Sequence, residues 1–116
     1  MNGSGCIFCQ IIDGNIPADI YYQDDDVLAF RDIHPVAPTH ILIIPKKHIA
    51  TANDFSEEDE RIIGKLMTTA SKLAKELRID QHGYRLVMNC NRDAGQTVFH
   101  VHLHLLAGRS FSWPPG

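Results

Sequence analysis

One segment dominates the folding problem of this chain. From Ser56 to about Arg78 the apolar residues Ile62, Ile63, Leu66, Met67, Ala70, Leu73, Ala74 and Leu77 recur at three- and four-residue intervals. That spacing lays them in one stripe along a single long helix. Ser56 is a good N-cap, and Asp59 three positions on completes a capping box. Glu57, Glu58 and Glu60 suit the positive end of the helix dipole, and Lys72, Lys75 and Arg78 suit the other end. A helix with one apolar side needs a surface to cover, and the rest of the chain supplies short strands.

Ile20–Gln23 and Val27–Arg31 flank the acidic turn Asp24-Asp25-Asp26 and read as a hairpin. Ile41–Ile44 is a β-branched run closed by Pro45, as expected for a buried strand. Tyr84–Asn89 alternates like a strand, and the last strand is expected over Val98–Ala107. Cys6–Asp13 reads as a short helix or turn closed by Gly14-Asn15 and Pro17. His34-Pro35-Val36-Ala37-Pro38 is extended, because each proline biases its predecessor away from helix. Asn91–Gly95 is a loop. The fold class is therefore α+β: a largely antiparallel sheet, one long helix and a short N-terminal helix.

The 116 residues suffice for one core and not for two. At 44% hydrophobic and 22% charged the chain is ordinary for a globular protein, which excludes disorder. No apolar run approaches the ~20 residues that cross a bilayer, so no membrane partner is expected. Eleven Lys+Arg against fourteen Asp+Glu give a net charge of -3, and the basic residues form no stripe. That argues against a nucleic-acid partner while leaving room for a small anionic ligand in one pocket. Met1–Gly5 has no basic, apolar leader pattern and is expected to be a flexible N-terminus. Three cysteines, an odd count, make no disulfide framework. The expectation is a single cytoplasmic domain spanning 1–116.

Seven histidines are the unusual entry in the composition, and three alternate in Phe99-His100-Val101-His102-Leu103-His104-Leu105-Leu106. In a strand, side chains alternate faces, so the three imidazoles share one side and Val101, Leu103 and Leu105 share the other. A solvent-facing polar row would ordinarily use Lys, Thr or Glu. Metal ligands, a nucleophile or an acid–base set are the remaining readings. Just upstream, Ala94-Gly95-Gln96-Thr97 offers a glycine turn, an amide and a hydroxyl, all suitable donors to phosphate oxygens. An imidazole beside a phosphate cradle is a natural nucleophile at phosphorus and needs no catalytic metal.

Gly95-Gln96-Thr97-Val98-Phe99-His100-Val101-His102-Leu103-His104-Leu105-Leu106 resembles the motif of the histidine-triad (HIT) family. Asp32-Ile33-His34-Pro35-Val36-Ala37-Pro38-Thr39-His40 and the tail Trp113-Pro114-Pro115-Gly116 resemble its Hint branch, the histidine-triad nucleotide-binding proteins. The likeness runs from about Ile7 to Gly116. It implies a HIT-like fold and a homodimer that hydrolyses purine nucleoside phosphoramidates to AMP or GMP and an amine. By the same resemblance His102 is the nucleophile, His40 the relay histidine, and His104 and Thr97 hold the phosphoryl oxygens. Gly95, Gln96 and Asn89 complete the polar wall, and Asp32 binds the ribose hydroxyls. Phe8, Ile11, Ile16, Phe30, Ile33 and Leu42 form the apolar slot for the purine. Trp113, in the tail 108–116, lies near the partner subunit's site and influences the leaving group. Two positions depart from the family: His34 stands where a small residue is usual, and Ala94 where a second glycine is common.

Cys6-Ile7-Phe8-Cys9 has the Cys-x-x-Cys spacing of a metal clamp or redox pair. Resemblance to bacterial relatives implies a structural zinc held by Cys6, Cys9, His48 and His100, the alternative being two unliganded thiols. Cys90 reads as a buried apolar thiol and His82 as a solvated turn residue. Two other functions share the motif: cleavage of dinucleoside polyphosphates by the same attack, and nucleotide binding for regulation with incidental catalysis.

Overall fold

The computed structural model describes residues 5–116; of the start expected to be flexible, Met1–Gly5, residues 1–4 lie outside them. The elements in chain order are α1 (Ile7–Ile12), β1 (Ile20–Gln23), β2 (Val27–Arg31), β3 (Thr39–Pro45), α2 (Glu60–Glu76), β4 (Tyr84–Val87) and β5 (Leu103–Ala107). Short 3-10 turns cover Ala52–Asp54, Glu57–Asp59 and Arg92–Ala94. The five strands form one antiparallel sheet in the order β1-β2-β3-β5-β4. The α+β reading is correct. Among the described residues no helix is long and apolar enough to cross a membrane.

Alternation divides the core between the two sheet faces. Val27, Ala29, Ile41, Ile43, Leu103 and Leu105 face α2 and pack on Leu66, Ala70 and Leu73. Leu28, Phe30, Leu42 and Ile44 point the other way and pack with Phe8 of α1. Each strand of the centre is therefore buried on both sides, which is why β2 and β3 are continuous apolar runs. The α2 stripe is narrower than its sequence pattern, because Met67 is 49% exposed and Leu77 lies at the open end.

The acidic turn works as a clamp as well as a turn. Asp24 Oδ1 accepts the Asp26 and Val27 N–H groups, which closes the β1–β2 hairpin. Arg61 and Lys65 of α2 then grip Asp26 at 2.7 and 2.9 Å. The Arg61 and Lys65 hydrogen bonds hold the Asp26 carboxyl well below its usual range. Ser56 N–H donates to the Asp59 carboxylate at 3.0 Å, as the capping box requires, and Lys47 reaches the same carboxylate at 2.7 Å. The box starts a 3-10 turn, and regular α-helix begins at Glu60 rather than at Ser56.

Two strand boundaries need correction. β4 ends at Val87, not Asn89, and β5 starts at Leu103, not Val98. Between Val98 and His102 the backbone bonds to other things: Val101 N–H donates to Ile49 O, and the His100 carbonyl accepts the His102 ring N–H. Groups so occupied cannot join a strand ladder.

β5 closes with Gly108 at φ +96, where an added Cβ would sit 2.7 Å from the Pro38 ring. Both the left-handed backbone and the contact oppose a side chain. We expect Gly108→Ala to lower stability by about 1–3 kcal/mol, read as a shift in the urea midpoint at unchanged slope.

Candidate active site and metal centre

The face of the sheet that carries α1 also carries a cleft of about 450 Å³. Register puts its polar groups together: Leu42 of β3 pairs with His104 of β5, and His40 with Leu106, so His40 and His104 lie diagonally on that face. The lining includes Phe8, Ile11, Ile16, Phe30, Ile33 and Leu42 on the apolar side. Asp32, His34, His40, Thr97, His102 and His104 line the polar side. Ile7, Pro17, Ala18, Val36 and Val98 line it too, and only the folded chain reveals them.

Hydrogen bonds assign the histidine tautomers. His102 Nδ1 lies 2.8 Å from His100 O, so Nδ1 carries the proton and the Nε2 lone pair is free. His40 Nδ1 accepts the Val36 N–H at 3.1 Å, so its proton sits on Nε2. That nitrogen lies 2.9 Å from His104 Nδ1 and 3.3 Å from Asp32 Oδ2. His104, accepting at Nδ1, therefore presents Nε2–H. The result is a directed chain: Val36 N–H to His40, His40 to His104, and His104 outward.

Burial, opposed by Asp32, pushes the His40 pKa down. Burial first, then the neighbouring His102 and His40, push His104 down to about 4. Because these imidazoles lose basicity on folding, the unfolded chain binds more protons between about pH 6.5 and 4. Their stabilisation is complete above the unfolded value and is lost as pH falls through that window. Chemical unfolding across pH 7 to 4 should show that loss, and His104→Asn should flatten part of it.

Asp32, His40 and His104 bring three ligand atoms together, as a metal site would. The tautomer argues otherwise. A histidine that binds metal through Nε2 must protonate Nδ1, and His40 Nδ1 already faces the Val36 N–H. This cluster suits proton handling rather than metal.

A second cluster, Cys6, Cys9, His48 and His100, passes the same test. His100 Nε2 lies 2.8 Å from Pro45 O, which fixes its proton there and turns the Nδ1 lone pair toward the thiols. His100 Nδ1 sits 3.4 Å from Cys6 Sγ, 3.6 Å from Cys9 Sγ and 3.2 Å from His48 Nδ1. Cys9 Sγ is 3.3 Å from His48 Nδ1. Tetrahedral zinc with ordinary bond lengths asks for N···N near about 3.3 Å and S···N near about 3.6 Å. Burial pushes His100 down to about 4, leaving it neutral at pH 7. Burial and Cys6 push the Cys9 thiol up to about 11, the situation a bound cation would reverse. The four residues fit a closed structural zinc.

Not every expected site residue enters the cleft. Gln96 is buried, with Oε1 accepting Asn91 N–H and Nε2 donating to Ala50 O and Val98 O. It fastens the loop. Asn89, Gly95 and Trp113 lie outside the cleft lining, Gly95 as the left-handed cap of the 3-10 turn and Trp113 82% exposed. The tail touches the cleft wall through Arg109, which donates to Val36 O at 3.0 Å. Cys90 is half-buried rather than buried, and His82 is exposed. Sequence reasoning missed the Asp32–His40 contact and the Phe8 ring against His102, with centroids 5.1 Å apart. It also missed the Val36 N–H; the proline-rich turn that aims it was the available signal.

The HIT domain family model matches residues 13–111. The chain belongs to the HIT family. Over 103 residues, 89% of this chain and 87% of the relative, it is 57% identical to the purine nucleoside phosphoramidase of Escherichia coli K12. Among solved structures, a HIT family hydrolase from Legionella pneumophila superposes with a TM-score of 0.94 at 53% identity. That match covers 96% of this chain and 99% of the other. A histidine triad nucleotide-binding protein from Candida albicans gives a TM-score of 0.81 at 35% identity, over 94% of this chain and 82% of the other. The HIT fold is thus matched by relatives named for hydrolysis and for nucleotide binding.

Proposed function

We propose that this HIT protein is a purine nucleoside phosphoramidase that cleaves the P–N bond of AMP- and GMP-type phosphoramidates through a nucleotidyl-His102 intermediate. The observation that carries the reading is the free Nε2 lone pair of His102 beside the Asp32–His40–His104 chain, at one end of an apolar cleft. The identity with the Escherichia coli phosphoramidase supports the substrate class.

In the first step His102 Nε2 forms a bond to the α-phosphorus as the phosphorus–amine bond breaks. The departing nitrogen takes up one proton. In the second step water attacks phosphorus, the P–Nε2 bond breaks, and the water gives one proton up. The two steps together are proton-neutral: a proton given to the amine in the first is regained from water in the second, and the His40–His104 chain is what this site has to relay it. His104 Nε2–H and the Thr97 hydroxyl suit the phosphoryl oxygens, where charge grows in the transition state. Asp32, with Oδ1 taking the His34 N–H at 2.8 Å, keeps lone pairs for ribose hydroxyls. Splitting the displacement avoids direct attack by water, a weak nucleophile.

Cys6, Cys9, His48 and His100 would hold a structural zinc that braces the N-terminal segment; the reaction itself uses none. The reading includes a homodimer, supported by the open edge of β4 and by the exposed Met67 and Leu77 of α2. A groove beside that edge, lined by Tyr84, Arg85 and Phe111, also suits a partner. A reducing, cytoplasmic setting is supported by three unpaired thiols.

Side-by-side assay of a tryptamine–AMP phosphoramidate and a diadenosine polyphosphate decides the substrate. Preference for the phosphoramidate is expected. Preference for the polyphosphate, or AMP binding with turnover of neither, would replace this reading.

A further inference from the structure

The two clusters described above are joined by more than proximity. Phe8 falls between Cys6 and Cys9 in the sequence and is almost fully buried. Its ring meets the His102 ring edge-on, with centroids 5.1 Å apart at 90°, and the His100 ring at 5.9 Å and 71°. Behind it stands Phe30 at 5.5 Å. His100, a member of the thiol–imidazole cluster, supplies the carbonyl that holds the His102 Nδ1 proton. Two of the contacts on the nucleophile's ring thus come from residues within or beside the cluster, and the His104 ring makes a third at 5.0 Å.

The N-terminal segment is joined to the body mainly by side chains. The backbone hydrogen bonds of Gln10, Asp13, Gly14, Asn15 and Ile16 all close on Cys6–Ile11, within the segment itself. A single helix of this length has little stability of its own. What fastens it is the apolar packing of Phe8, Ile11 and Ile12 and the approach of its two thiols to His48 and His100. Ile7, Phe8 and Ile11 of that segment are also a wall of the cleft.

We propose that Phe8 is a positioning residue for His102, and that the Cys6–Cys9–His48–His100 centre, when it holds zinc, keeps Phe8 and the His100 carbonyl in place against the nucleophile. Zinc occupancy then sets catalytic competence as well as stability. The inference rests on the zinc reading above, and its test separates the two.

The test uses the full chain loaded with zinc, titrated with a zinc chelator and then with zinc chloride. The readouts are kcat and KM for the tryptamine–AMP phosphoramidate, AMP affinity by calorimetry, and the 15N resonances of the His102 ring. Phe8→Leu in the loaded protein should keep one zinc per chain yet lower kcat by about tenfold or more, as small misplacements of reacting groups do. Its His102 resonances should move from a single Nδ1–H tautomer toward a mixture. Phe8→Tyr, which retains the ring edge, should recover most of the rate. Zinc removal from the natural chain should reproduce both changes, and zinc addition should reverse them.

Zinc binding at one per chain, with removal lowering only the melting temperature and leaving kcat and the His102 signal unchanged, would overturn the proposal while sparing the zinc site. Protein that takes up no zinc would overturn both. A Phe8→Leu loss confined to AMP affinity, with the His102 signal intact, would make Phe8 a nucleotide contact only and would also overturn it. If the metal-free chain unfolds, the Phe8 variants in the loaded protein decide.

Discussion

His102→Ala should abolish phosphoramidate turnover while leaving AMP affinity within about tenfold, or about 1.4 kcal/mol. The two effects separate because they reside in different groups. In the proposed reaction the Nε2 lone pair supplies the bond to phosphorus, and removal of a residue that acts as nucleophile costs on the order of 10⁶ in rate. In the proposed reading nucleotide affinity comes instead from the apolar wall of Phe8, Ile11, Ile16, Phe30 and Leu42, which lines the cleft, and from the polar groups facing it. His102→Asn keeps a polar group of similar size and should behave alike. Steady-state kinetics and calorimetry on the same preparation check the pair of outcomes. A near-normal rate in His102→Ala would remove the covalent route. Loss of AMP binding would instead mean that the ring holds the nucleotide.

The second large effect concerns the metal. Elemental analysis of protein purified without chelator should find near one zinc per chain. Cys6→Ser with Cys9→Ser should lose it, because a hydroxyl does not ionise to give the ligand that a thiolate provides. A ligand present at 1,000 times its dissociation constant stabilises by about 4 kcal/mol, which for a chain of this size is roughly 15 °C in melting temperature. The double variant should therefore melt well below the natural protein and should not respond to added zinc. Retention of metal by the variant would mean a different ligand set.

Local signals in the sequence translated well into local structure. Ile20–Gln23 and Val27–Arg31 are strands at the expected residues, since alternation and an acidic turn act over a few positions. The Ser56–Asp59 box is present for the same reason. The final strand failed at its start because alternation records which face a side chain takes, not whether the backbone has a partner. His100 alternates in step with His104, but its carbonyl serves the His102 ring and its imidazole turns to the thiols. The site shows the same division. Motif and resemblance put His40, His102 and His104 together, and the fold does bring them to one cleft. Resemblance assigned the metal to Cys6, Cys9, His48 and His100, the four that the fold brings together, but the physical ground for choosing between the two metal-like clusters was illegible in the sequence. It rests on which ring nitrogen faces a backbone N–H and which faces a carbonyl, and only the packing of Val36 on His40 and Pro45 on His100 decides that. The Gln96 amide likewise looks like a phosphate donor in sequence, whereas its loop partners lie as far away as Ala50.

Rapid-quench mass spectrometry during turnover of an adenosine phosphoramidate probes the chemistry at its decisive atom. A transient adduct of nucleotide mass on the His102 peptide, formed and lost at rates compatible with kcat, is the predicted result. An adduct on another residue, or a single inversion of configuration at phosphorus with none trapped on His102, would contradict it.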